Sequence, residues 1–145
     1  KYMDKELLAS KSFSKVKLVG ESDYELENLD FDVENIDAVL TFRNYHNFNE
    51  QERMHINKAA FDALKPGGVY GVVDHTRRHM QKKNDENGRR FDPVLAIKEI
   101  QQAGFAFVDY SDLHYKSDDE LRFEVGRKTV TGNTDRFTLV FRKPK

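Results

Sequence analysis

The chain has 145 residues, no cysteine and no tryptophan, and its 24 Lys plus Arg against 25 Asp plus Glu leave a formal net charge of -1. That length suits one domain, and the lack of cysteine excludes disulfide frameworks, CxxC redox chemistry, thiolate zinc sites and a cysteine nucleophile. No apolar run approaches the ~18 residues of a membrane span, and near-neutral charge argues against a dedicated nucleic-acid binder, which carries a basic excess.

In chain order, YMDKELLASK has Leu7 and Leu8 among charges and reads as a short helix. KVKLVG follows as a strand over 15–19, ended by Gly20. The acidic stretch ESDYELENLDFDVEN is read as a solvated loop. In IDAVLTF, the continuous run Ala38, Val39 and Leu40 suits a strand covered on both faces. Asn49 caps a helix with Glu52 at its N3 position, and Ile56, Ala59, Ala60, Ala63 and Leu64 follow helical spacing. Lys65, Pro66, Gly67 and Gly68 stop that helix and turn the chain into the strand VYGVVD. Residues 75–91 are basic and amide-rich with almost nothing apolar, the pattern of a long mobile loop. Asp92 and Pro93 then supply an N-cap and a first-turn proline, Ile97, Ile100 and Ala103 an apolar helix face, and Gly104 its C′ residue. FAFVDY is a strand, residues 112–133 are an irregular excursion with a short strand expected around Phe123, and RFTLVFRK closes the chain as a strand.

Strands alternating with helices of moderate length predict an α/β layer on a parallel sheet. The last two strands have no helix between them, so they should form an antiparallel hairpin at one side. In open α/β sheets ligands sit outside the carboxyl ends of the strands. Those ends deliver Arg43, Asn44, Tyr45 and His46 from one strand, Asp74 and His75 from the next, and Gly20, Glu21 and Ser22 from the first. If the two inner strands are neighbours, Asn44, His46, Asp74 and His75 share one rim. An imidazole there suits a general base, and an amide or phenol orients a polar substrate. Taken singly, Asp74 could equally cap a turn, and Asn44 and Tyr45 could make local hydrogen bonds.

His75 and His79 stand at HxxxH spacing, but their segment lacks a helical pattern and no third ligand accompanies them, so no metal site is expected. A metal-dependent hydrolase using His46, Asp74, His75 and His79 would need bound metal. Arg77, Arg78, Lys82, Lys83, Arg89 and Arg90 could meet phosphate, yet Asp85 and Glu86 interrupt them, which favours a solvated lid or plain loop. No pair of glycines forms a GxG turn between a strand and a helix, so this sequence carries no nucleotide-cofactor loop.

IDAVLTFRNYHNF, AAFDALKPGGVYGVVDH, GFAFVDYSDL and GNTDRFTLVFRKP, in this order, resemble the C-terminal half of class I, Rossmann-like S-adenosylmethionine-dependent methyltransferases. The LKPGG turn before an apolar strand is the most recognisable element of that superfamily. Within it, NYH, FDALKPGGVY, VDH and TDRFTLVFRKP look like a bacterial family of predicted methyltransferases of unassigned substrate. The resemblance runs from about Val16 to Pro144.

The resemblance implies strands three to seven of the usual seven, whose order across the sheet is 3-2-1-4-5-7-6, and a small-molecule methyl acceptor. It places Glu21 and Ser22 near the cofactor adenine, and Thr41, Phe42 and Arg43 along its methionine part. Asn44, Tyr45 and His46 match the substrate-side motif, faced by His75. The superfamily's first strand, glycine-rich loop and ribose-binding acid lie upstream of these motifs. The expectation is therefore an incomplete methyltransferase domain over 1–145, with weak or absent cofactor binding alone. Its fourth strand would be an open edge, filled by strand 15–19 or by a second copy. The alternative is a non-enzymatic α/β module acting by association with another chain.

Overall fold

A computed structural model describes residues 26–145. The helix expected near the start, the strand over 15–19, Glu21 and Ser22 all lie outside the described residues. Among the described residues the elements are β1 (Ile36–Phe42), α1 (Glu50–Ala63), β2 (Leu64–His75), α2 (Pro93–Gln102), β3 (Ala106–Ser111) and β4 (Arg136–Arg142). They form one four-stranded sheet in the order β1-β2-β4-β3. β1 and β2 are parallel, while β4 runs antiparallel to both β2 and β3. The closing pair is thus the antiparallel pair expected, with β3 at the margin. This order reproduces the fourth, fifth, seventh and sixth strands implied by the resemblance.

Capping chemistry sets the helices. Asn49 Oδ1 accepts from the Glu52 N–H at 3.0 Å and Glu52 Oε2 accepts from the Asn49 N–H at 2.7 Å, a reciprocal box that satisfies two orphan donors of α1. At its other end the Lys143 ammonium donates to the carbonyls of Phe61 and Leu64 at 2.6 and 2.7 Å. The last strand therefore latches the C-terminus of the first helix, where cations are favoured. Asp92 caps α2 by accepting from Val94 N–H, and Gly104 takes the left-handed φ of +104° expected of a C′ residue.

The Lys65–Gly68 turn sits inside the bounds of β2 rather than before it. Pairing steps from Ile36↔Leu64 to Ala38↔Val69, so the intervening residues bulge out of register. Gly67, at φ +79°, sits in this bulge, and its N–H donates to the Lys143 carbonyl at 2.9 Å. Packing lies on one face of the sheet: Tyr70, Val72, Leu139 and Phe141 meet Ala60 of α1 and Ala96 and Ile100 of α2.

Three expectations change. The apolar run of β1 is not covered on both faces, because Leu40 and Phe42 are 59% and 61% exposed on the face that α1 and α2 leave bare. No strand forms around Phe123 among the described residues. Its carbonyl is taken by the Arg90 guanidinium at 2.6 Å, and the guanidiniums of Arg122 and Arg127 lie 4.5 and 4.3 Å from its ring centroid. Residues 75–91 are not simply a solvated loop either. Asn87 and Arg90 are buried, and Arg90 donates two hydrogen bonds to the Asp119 carboxylate at 2.8 and 2.9 Å.

Candidate functional site

The parallel register of β1 and β2 brings their carboxyl ends level, with Phe42 opposite Val73. The chain leaves β1 through Arg43 and enters a single helical turn, Tyr45–Asn47. At the end of β2, Asp74 is fully buried. Its Oδ1 accepts from His46 Nδ1 at 2.7 Å and from the His75 N–H at 2.7 Å, and its Oδ2 accepts from the His46 N–H at 2.9 Å. A carboxylate can only accept at such a contact, so His46 carries a proton on Nδ1, which in the neutral ring leaves the lone pair on Nε2. His75 Nδ1 shares a hydrogen bond with Thr134 Oγ1 at 2.9 Å, and the two imidazole centroids are 6.2 Å apart.

Both rings line a cavity of about 380 Å³ walled by Arg43, Arg89, Thr134 and Arg136. Burial pushes the His75 pKa down to about 4. The Asp74 charge opposes the shift, while Arg136, His46 and Arg43 reinforce it. His75 is therefore neutral across the physiological range. The far wall comes from the excursion over residues 112–135, fastened by the buried Arg90–Asp119 pair. Burial opposes ionisation of Asp119. The bonds from Arg90 and from the N–H groups of Asp135 and Leu121 outweigh it and hold the carboxyl below its usual range.

Tyr45 does not join this rim. Its side chain turns into the core at 1% exposure, where its hydroxyl donates to Glu99 Oε2 at 3.1 Å and accepts from Asn57 Nδ2 at 2.9 Å. Burial raises its pKa. Arg53 clamps the same Glu99 with two bonds of 2.7 Å and stacks over Phe91. The network ties the turn after β1 to both helices. Asn44 is exposed and pairs with Asn47.

A second cavity, of about 500 Å³, lies beside β1 and is mostly apolar, with Asp30, Asp32, Thr41 and Asn44 as its polar lining. The turn after β1 contributes to both cavities. Of the residues that the resemblance assigned to the cofactor, Thr41 lines this second space, Arg43 lines the histidine cavity, and Phe42 lies exposed on the bare sheet face. His79 points elsewhere, with Nδ1 on Asp92 Oδ2 at 2.9 Å. Among the described residues no three His, Asp or Glu side chains converge as metal ligands.

No protein-family model and no curated protein matches the sequence. Solved structures do share the architecture. The glycopeptide N-methyltransferase MtfA, complexed with S-adenosyl-L-methionine, aligns over 98% of this chain and 67% of its own, with a TM-score of 0.66 and 12% identity. The [4+2]-cyclase SpnF aligns over 85% of this chain and 55% of its own, with a TM-score of 0.59 and 17% identity. A SAM-dependent methyltransferase from Methanosarcina mazei gives 83%, 65%, a TM-score of 0.57 and 15% identity. The chain has part of the Rossmann-like fold of class I S-adenosylmethionine-dependent methyltransferases. It spans between 55% and 67% of the length of these three proteins. Because a cyclase shares the methyltransferase fold, the chemistry has to be argued from the site.

Asp74 was legible as a rim residue in VDH, but its part in fixing the His46 ring is visible only in the folded chain. Thr134 and Arg136 carry no sequence signal for this cavity, and Arg89 was legible only as one of several basic loop residues. They reach it through the fold of two loops and the start of β4.

Proposed function

We propose that this chain is the acceptor-binding part of an S-adenosylmethionine-dependent methyltransferase. The Asp74–His46 pair at the adjoining ends of β1 and β2 carries the reading. S-adenosylmethionine, when bound, supplies an electrophilic methyl group. The second cavity fits part of such a molecule: its apolar wall suits the aliphatic chain, and Asp30, Asp32, Thr41 and Asn44 offer acceptors for cationic and hydroxyl groups. His46 Nε2 takes the proton from an acceptor hydroxyl or amine, and Asp74 holds the ring in the required tautomer and stabilises the imidazolium. Neutral His75, fixed by Thr134, orients the acceptor, and the Asn44 amide guides it from the rim. Tyr45 acts as a positioning residue that anchors the turn bearing His46. Phe42 and Arg43 complete the strand end, with Glu21 and Ser22 proposed on the adenine side.

The domain is proposed to be completed by a glycine-rich cofactor loop outside the described residues, with a further strand alongside β1. Calorimetric titration with S-adenosylmethionine tests the reading. Saturable binding weaker than micromolar is expected; no heat at millimolar ligand would overturn the cofactor assignment. Tight binding would overturn the proposal that the main affinity lies elsewhere. In Asp74→Asn, imidazole ¹⁵N shifts should report loss of the pure Nδ1–H tautomer of His46, and an unchanged tautomer would remove the base assignment.

A second reading rests on the bare face of β1. Leu40 and Phe42 are exposed there, so a non-enzymatic module that works by pairing with another chain is the alternative. Absence of cofactor binding together with concentration-dependent association would favour it.

A further inference from the structure

We propose that the histidine cavity takes an acceptor bearing an anionic oxygen group, a carboxylate or a phosphate, held by Arg43 and Arg136. The proposal deepens the reading of this cavity as the acceptor site, but its chemistry is independent of the methyl donor.

The lining is cationic without a matching acid. Three guanidiniums, from Arg43, Arg89 and Arg136, wall the space beside His46, His75 and Thr134. Arg89 is neutralised, because Glu124 takes two of its N–H groups and is itself held down to about 2 by that pairing. Arg43 and Arg136 have no such partner: among the described residues neither guanidinium makes an ion pair. Arg136 Nε is buried without a hydrogen bond. That nitrogen is closed to solvent and so to a ligand; it is the terminal nitrogens of the same guanidinium, without a hydrogen-bond partner among the described residues, that a ligand oxygen would meet.

Arg43 adds a second, independent observation. It adopts φ +50°, an uncommon left-handed conformation for a residue with a side chain, fixed by its N–H donating to the Val73 carbonyl at 2.7 Å. That conformation ends β1 at the rim, where Arg43, an exposed residue, lines the cavity. Both arginines line the same cavity as His75, and their charges lower its affinity for a proton. Asp74 makes no ion pair with either arginine, its oxygens being taken by the His46 ring and by two backbone N–H groups. A neutral imidazole beside two unpaired guanidiniums suits an anion with a neighbouring hydroxyl or amine. The volume of about 380 Å³ suits a small molecule.

The test is a titration of the ¹⁵N-labelled protein with sodium phosphate, and separately with sodium acetate, at constant pH and with ionic strength balanced by sodium chloride. Saturable shifts at the His46, His75 and Arg136 side chains are expected, weakened about tenfold or more in Arg43→Gln and in Arg136→Gln. Arg78→Gln, at an exposed position outside the cavity, should bind as the parent does. The anion that binds more tightly names the group on the acceptor. No saturable shift beyond the chloride control overturns the proposal, as does equal affinity in Arg43→Gln and the parent. Amide dispersion shows that each variant is folded. If phosphate or acetate saturates the cavity while S-adenosylmethionine does not bind, the anion site stands and the methyltransferase reading falls.

Discussion

At the scale of single residues, His75 turns burial into a measurable pH response. Its pKa falls from the ordinary 6.5 to about 4 because the ring loses solvent, with Arg136, His46 and Arg43 adding to the shift against Asp74. The unfolded chain therefore binds a proton that the native state refuses between those two values. Native stability should be full above about pH 6.5 and fall as pH drops toward 4. His75→Gln should flatten that part of a urea-unfolding stability profile, leaving the steeper loss at lower pH to Asp92, Asp119 and Glu124. All three carboxyls are held below their usual range. A profile unchanged by the substitution would show that the ring is not titrating in the unfolded chain alone. The residue types at this rim were legible from VDH and NYH. The direction of the titration was not, because it depends first on the burial of the ring and then on charges brought to it by the fold.

Among elements, the latch between β4 and α1 has the clearest energetic consequence. Lys143 donates to two carbonyls at the end of α1 and lies over the Phe61 ring at 4.7 Å. Lys143→Met keeps the stem and removes the ammonium, so it should destabilise the protein by about 1–3 kcal/mol in urea unfolding. Amide exchange should quicken first around Leu64, where the helix gives way to the bulge of β2. Both helix starts could be read directly: Asn49 with Glu52, and Asp92 with Pro93, are local signals that need no tertiary partner. The latch could not, since Lys143 and Phe61 lie far apart in the chain and meet only because β4 inserts between β2 and β3. The strand expected near Phe123 failed for a related reason, its carbonyl being claimed by a loop arginine.

For the whole molecule, the buried Arg90–Asp119 pair joins the loop after β2 to the excursion before β4 and so shapes the cavity. Arg90 also donates to the carbonyls of Thr76 and Phe123 at 2.9 and 2.6 Å. Arg90→Met would strand the Asp119 carboxylate away from water and should cost about 3–5 kcal/mol, read as a fall in the urea midpoint. The double variant Arg90→Met with Asp119→Leu should recover much of that loss, because neither charge is then buried alone. Equal stability of the single and double variants would show that the pair is not what holds these loops.

Local patterning was enough to place the strands and helices within residues 26–145, apart from the bulged start of β2 and the strand expected around Phe123, and to anticipate an antiparallel closing pair. Caps, turn glycines and apolar periodicity act over a few residues and are written consecutively. The pairing of Asp74 with His46, the inward turn of Tyr45, the burial of Arg90 and the cationic lining of the cavity were decided by the fold. Each depends on side chains from separate elements meeting in a space with little water, where charge and hydrogen bonding gain a strength that no neighbour in the sequence can report.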